Sequence, residues 1–354
     1  MPSSTRTRSA AIDLVRVIAI TAVVLRHTYY DPDGVVAQVV CPWAIAIFFV
    51  LTGYLWSSRK TLQQDVDSRA TGLLIPYVAW MITISIPYFT WLFVTEGAGA
   101  LYFLVAYAYG PQLAVFPYSA CWFFTVMFFA VLILRWLTPR PRWITWGILA
   151  GTLAVTIVAP KSLWYLPLGL GLAFPCMLFI VFGQELRRFR PRIRFGFPTG
   201  LVLIAIGGGA CWAGASHDSA GELLEIKLSM YGMPVAGLVS GAVLAVGIVL
   251  LAESFERLIP DRVAPAITTI AGTATFAMFL HPVFLLAMDT PETGRFPDFV
   301  LALVVPIALC LLCQRLGILR WWTGDRDGPP VPFTHLLARW VPGVQSPSSA
   351  DRTA

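Results

Sequence analysis

Arg16 and His27 lie eleven residues apart in a mostly apolar run, Ile12-Asp13-Leu14-Val15-Arg16 through Leu25-Arg26-His27. On a helix, eleven steps make three turns and about 20°, so both side chains share a face, roughly 16 Å apart along the axis. Asp13, three residues before Arg16, can pair with it on that face. Histidine can take a proton from a hydroxyl and return it to a leaving group near neutral pH. Arginine grips phosphate or carboxylate through a two-pronged fork. Moving an acyl group from a phosphate-bearing donor on one side of a barrier to a hydroxyl on the other needs both types, at different depths. Plainer readings stand beside this one: an Asp13–Arg16 ion pair that only braces the helix, and a His27 that caps its end.

The elements that position these groups are apolar spans. The 354 residues are 57% hydrophobic and 12% charged, against about 25% charged in a soluble domain, with mean hydropathy +0.73. Apolar runs recur from end to end, predicting an all-α integral membrane protein of about ten transmembrane helices. They fall near residues 10–30, 37–57, 71–94, 119–137, 143–159, 162–183, 195–215, 230–252, 263–288 and 297–319. The first follows Arg6 and Arg8 like a secretion signal, but no small-residue cleavage site ends it, so it reads as a retained helix. With the N-terminus in the cytoplasm, twenty Lys and Arg fall in the inner segments and three, Lys161, Lys227 and Arg295, in the outer loops. That bias places both termini inside and explains the +6 net charge without nucleic acid. The expected organisation is one membrane domain over residues 1–322 and a cytoplasmic, largely disordered tail over 323–354, in the cytoplasmic (inner) membrane. The stretch 101–107 is too short to span and reads as re-entrant or interfacial. Cys310-x-x-Cys313 sits in an apolar span with no further ligand, so no metal is expected; a Cys41–Cys121 disulfide is compatible with the topology.

This topology sorts the polar residues by depth. Asp13 and Arg16 fall in the inner third of the first span, and His27 near its outer end. The second span runs inward and brings Thr52 and Tyr54 to the level of Arg16, with Arg69 close by. The ninth runs outward and reaches His281 after ~18 residues, ~27 Å along its axis, near the depth of His27. Trp122, early in the inward fourth span, shares that outer level. For His281, local backbone bonding beside Pro282 is the competing explanation. A transporter or flippase for a lipid-linked or acylated sugar is the competing function, because buried Arg and His also suit a substrate path.

The motifs resemble those of acyltransferase family 3, the multi-span bacterial O-acyltransferases. Asp13-Leu-Val-Arg16 and the arginine-x10-histidine of Arg16 and His27 match its first helix. Phe48-Phe-Val-Leu-Thr52-Gly53-Tyr54-Leu55 is similar to its Phe-Val-x-Ser-Gly-Tyr-Leu stretch, with Thr52 for serine. Arg69 through Leu74-Ile75-Pro76-Tyr77, Trp122-Phe123-Phe124 and Met278-Phe279-Leu280-His281-Pro282 resemble further family segments. Gly72 stands where relatives often carry the second arginine of an Arg-x-x-Arg pair, with Lys60 as a possible substitute. The resemblance implies an acyl-CoA co-substrate, most often acetyl-CoA, and a carbohydrate or lipid-linked acceptor hydroxyl at the outer face. His27 would be the base or relay. Arg16 would hold the donor or stabilise charge on the acyl oxygen, and Asp13 would orient it. Thr52 and Tyr54 would line the donor passage, Gly53 would permit close helix approach, and Trp122 and His281 would shape the acceptor end.

Overall fold

The computed structural model describes residues 9–215, 224–232, 235–318 and 320–323. Arg6, Arg8, Asp218, Glu222 and the expected tail from residue 324 lie outside them.

Helix α1 (Ala10–Thr28) starts at Ser9, whose hydroxyl accepts the Ile12 N–H. The Glu256 carboxylate accepts the Ala10 and Ala11 N–H groups at 3.0 and 2.8 Å and the Ser9 hydroxyl at 2.6 Å. A carboxylate at this end satisfies orphan amides and suits the helix dipole. Next come α2 (Val35–Ala44) and α3 (Ala46–Tyr54). The polar α4 (Leu62–Arg69) opens with a Thr61–Gln64 capping box and passes through a π-helical turn into α5 (Ile75–Glu96). A turn with Gly97 at φ 58° leads to α6 (Ala100–Tyr109), most of which is exposed. The apolar helices α7 (Trp122–Leu137), α8 (Arg142–Val158), α9 (Pro160–Trp164), α10 (Leu170–Phe189) and α11 (Gly196–Ala215) follow. Strands β1 (Leu224–Glu225) and β2 (Met230–Tyr231) form a small antiparallel hairpin, Leu224 facing Tyr231. The described chain ends with α12 (Ala236–Ser254), α13 (Ala264–Gly272), α14 (Ala274–Ala287), α15 (Phe296–Leu316) and α16 (Arg320–Thr323).

Among the described residues, the regular structure is thus all helical apart from that hairpin. Helix occupies each of the ten expected segments. Among the described residues, six helical stretches are long and apolar enough to cross a membrane, or seven if α13 and α14 count as one span. The difference from ten has local causes. Helix α1 carries Asp13, Arg16 and Arg26, while α7 and α8 have only 16 and 17 residues. The ninth expected span is not one straight helix: it bends by 57° between α13 and α14.

Packing centres on α1, which touches α2, α3, α12, α13, α14 and α15. Helices α3 and α10 cross at two glycines. A Cβ on Gly53 would overlap the Ile180 carbonyl oxygen, and one on Gly183 the Val50 carbonyl oxygen. This is the close approach expected of Gly53. Gly241 of α12 meets the Pro42 carbonyl of α2 in the same way. A buried pair ties α4 to α7: Arg135 Nε donates to Asp65 Oδ2 at 2.5 Å, with the side chains 4% and 3% exposed. The same guanidinium lies 4.1 Å from the Trp56 ring centroid.

Candidate active site

His27 occupies the last turn of α1 and lines a cavity of about 370 Å³. The walls are mostly apolar and come from α1, α2, the segment before α7 and the β-hairpin; Trp122 and Met278 are among them. His281 stands behind His27, wholly buried on α14. Its Nε2 is 3.1 Å from His27 Nδ1, and its Nδ1 is 2.8 Å from the Ala277 carbonyl oxygen. Ser119 Oγ also approaches His27 Nδ1, at 3.2 Å. Phe116 packs against the His27 ring at a centroid distance of 5.9 Å.

These contacts assign the protons. A carbonyl oxygen only accepts, so His281 Nδ1 carries a hydrogen. In the neutral ring its Nε2 is then an acceptor. His27 Nδ1 must therefore be the donor, because two facing lone pairs at 3.1 Å would repel. The remaining nitrogen, His27 Nε2, keeps its lone pair; it has no hydrogen-bond partner among the described residues and is not sealed from the cavity. A second histidine thus fixes the tautomer and ring orientation of the first, the part an aspartate plays in a catalytic triad. Ser119 cannot give its proton to a nitrogen that already holds one, so in this pairing it is an acceptor and not an activated nucleophile.

The outer residues expected from sequence, His27, His281 and Trp122, meet at one place. The inner ones are spread over three elements. Asp13 is fully buried on α1; its Oδ1 lies 2.6 Å from Arg16 Nη1, and its Oδ2 accepts the Thr268 hydroxyl of α13 at 2.9 Å. The Arg16 side chain remains 29% exposed. On α3, the Thr52 hydroxyl donates to the Phe48 carbonyl at 2.9 Å and lies 3.6 Å from Met127 Sδ. The Tyr54 hydroxyl donates to Glu253 of α12, which Arg190 also holds at 2.7 Å. Arg69 ends α4, half-buried. Gly53 and Trp56 border a second cavity of about 370 Å³ between α3, α7, α8 and α10, with Arg140, Arg142 and Arg187 in its wall.

Several site residues carried no sequence signal. Ser119 and Phe116 lie in an irregular stretch before α7, and Thr268 is one of many helical threonines. Lys227 did leave a trace, as one of three outer basic residues. Cys41 and Cys121 are both free thiols, and Cys41 Sγ accepts from Arg26 Nε at 3.0 Å. No cluster that could hold a metal occurs among the described residues.

Comparison with curated proteins and with solved structures finds no match to this chain. The family model described as an acyltransferase domain, that of acyltransferase family 3, matches residues 9–315. The chain therefore belongs to acyltransferase family 3, and the two-histidine cavity lies within the matched region.

Proposed function

We propose that this membrane acyltransferase moves an acyl group, acetyl in the simplest case, from cytoplasmic acyl-CoA to a hydroxyl of an extracytoplasmic glycan, glycolipid or secondary metabolite. The observation that carries the reading is the His27–His281 contact, which leaves His27 Nε2 as an oriented base on a cavity wall. Nε2 takes the acceptor's hydroxyl proton as that oxygen attacks the thioester carbonyl. The carbon–oxygen bond forms and the carbon–sulfur bond breaks. The leaving thiolate takes the proton back from Nε2, returning His27 to its starting state. Donation from Nδ1–H to His281 stabilises the imidazolium in between. This scheme favours direct transfer over an acyl-Ser119 intermediate.

Arg16 lies roughly 16 Å down the helix axis from His27, too far for both to touch one carbonyl. Of its two expected roles, holding the donor fits and stabilising the acyl oxygen does not. Asp13 fixes its guanidinium. The second cavity, whose wall holds Arg140, Arg142 and Arg187 but not Arg16, also suits a donor bearing several phosphates. On this reading the ten segments cross the cytoplasmic membrane with both termini inside, and the twenty-to-three split of basic residues supports it.

The test is complementation of a deletion strain with wild type, His27→Ala or Arg16→Ala, followed by release and analysis of acyl esters from envelope and secreted material. Both variants should reach the membrane and yield no product. Near-normal ester from either removes that residue from the mechanism. Substrate counterflow by the purified protein, with no effect of labelled acetyl-CoA, would replace the enzyme by a transporter.

A further inference from the structure

Lys227 is the charged group in the outer cavity that the scheme above leaves unused. It sits in the turn Ile226–Leu228 between β1 and β2, and lines the cavity with His27, Arg26 and Glu225. Each nitrogen of Arg26 already has a partner, and its charge is met by a carboxylate. Its Nε donates to Cys41 Sγ, its Nη1 to the Tyr29 carbonyl at 3.2 Å, and its Nη2 lies 3.5 Å from the Glu225 carboxylate. Glu225 and Arg26 therefore offset each other. Lys227 makes one hydrogen bond among the described residues, from Nζ to the Ala114 carbonyl oxygen at 2.6 Å, and no carboxylate among them lies within salt-bridge distance of it. An ammonium has three donors, so two are left in a mostly apolar cavity. A positive charge held this way is costly unless something negative arrives.

We infer that Lys227 is an anion anchor in the acceptor site, so the acceptor carries a carboxylate or phosphate beside the hydroxyl that is acylated. The inference rests on the acyl-transfer reading for the word acceptor, but its binding test does not. Burial lowers the Lys227 pKa from its ordinary value to about 8, with Glu225 opposing the shift. The ammonium is therefore mostly charged at neutral pH and is cheaply desolvated beside an anion. A lysine serving only to clamp the hairpin to Ala114 would show no preference among ligands.

The experiment uses the full chain in lipid nanodiscs and three probes: 4-nitrophenyl β-glucoside, 4-nitrophenyl β-glucuronide and glucosyl dodecyl phosphate. The first is neutral, the second carries a carboxylate and the third a phosphate. Wild type should bind at least one anionic probe about tenfold or more tighter than the glucoside, the worth of one hydrogen bond to a charged group. Lys227→Met should erase the preference and leave glucoside binding unchanged, while Lys227→Arg should retain it. The two anionic arms separate a sugar acid from a lipid-phosphate acceptor. Equal binding of all three probes by wild type overturns the inference, as does a K227M variant that weakens all three alike. Transfer from labelled acetyl-CoA is followed in parallel. Absence of transfer with the anion preference intact defeats the acyl-transfer reading and leaves the anchor standing.

Discussion

Replacing His281 with phenylalanine tests the tautomer argument directly. Phenylalanine fills the same buried space on α14 but offers no acceptor to His27 Nδ1. In the ground state that loss matters little, because the bond at 3.1 Å joins two neutral rings. It matters once His27 holds the acceptor's proton, when Nδ1–H donates from a cation. A hydrogen bond to a charged group is worth ~1.5–3 kcal/mol, which corresponds to a fall in kcat of roughly 10- to 150-fold. Ser119 Oγ, 3.2 Å from the same nitrogen, remains as a poorer acceptor. It should keep the loss well short of the ~10⁴-fold that follows when a triad loses its aspartate and the tautomer inverts. Ser119→Ala alone should cost under about threefold, but more in the His281→Phe background, where it removes the last acceptor; pairs sharing a partner are not additive. The assay is acetyl transfer from labelled acetyl-CoA to the acceptor recovered from complemented cells, with kcat and KM resolved separately. KM should stay within about twofold, since the interaction strengthens only in the transition state. A His281→Phe enzyme with normal thermal unfolding and kcat within about threefold of wild type would refute the reasoning. So would a defect confined to KM.

Gly53→Ala should lower the thermal unfolding temperature in detergent, by an amount equivalent to ~1–3 kcal/mol, because its methyl meets the Ile180 backbone carbonyl. Gly147→Ala on α8, where nothing lies within 4 Å of the added Cβ, should leave that temperature unchanged or raise it. Arg135→Leu should destabilise by ~3–5 kcal/mol, since among the described residues it leaves buried Asp65 with Lys60, 3.7 Å away, as its one cation; Asp65→Leu with Arg135→Leu should recover much of the loss in the same melt. Binding of the anionic probe should fade as pH rises through about 8, where Lys227 sheds its proton, while glucoside binding stays flat over that range. The groups facing Lys227 are Glu225 on its own hairpin, Arg26 and His27 on α1, Cys41 on α2 and Cys121 before α7. A flat profile for the anionic probe would show that Lys227 does not hold the anion.

How far the site could be read from sequence follows from how each residue reaches it. His27 and Arg16 were legible because one helix fixes their separation and relative angle. Asp13 was legible for the same reason, three residues away on that face. Counting residues along a straight ninth span puts His281 near the depth of His27, and that premise is not met, since the chain bends by 57° before α14. The two histidines meet nonetheless because α14 packs against α1. The inner station shows the converse. Equal depth placed Tyr54 with Arg16, but depth says nothing of azimuth, and the Tyr54 ring turns toward Glu253 on α12. Ser119 left no signal and Lys227 only its place among the outer basic residues, because both reach the cavity from segments outside the long helices, whose path is set by tertiary packing and not by a local period. The helices thus encode what approaches His27 from behind, while the loop and hairpin decide what it faces. Variation in acceptor should therefore be sought at residues 116–119 and 224–228. Exchanging the hairpin for that of a relative with a different acceptor should change which probe binds while leaving hydrolysis of the thioester donor intact. If acceptor choice instead travels with α1 or α14, the recognition surface is not separate from the helices that hold the base.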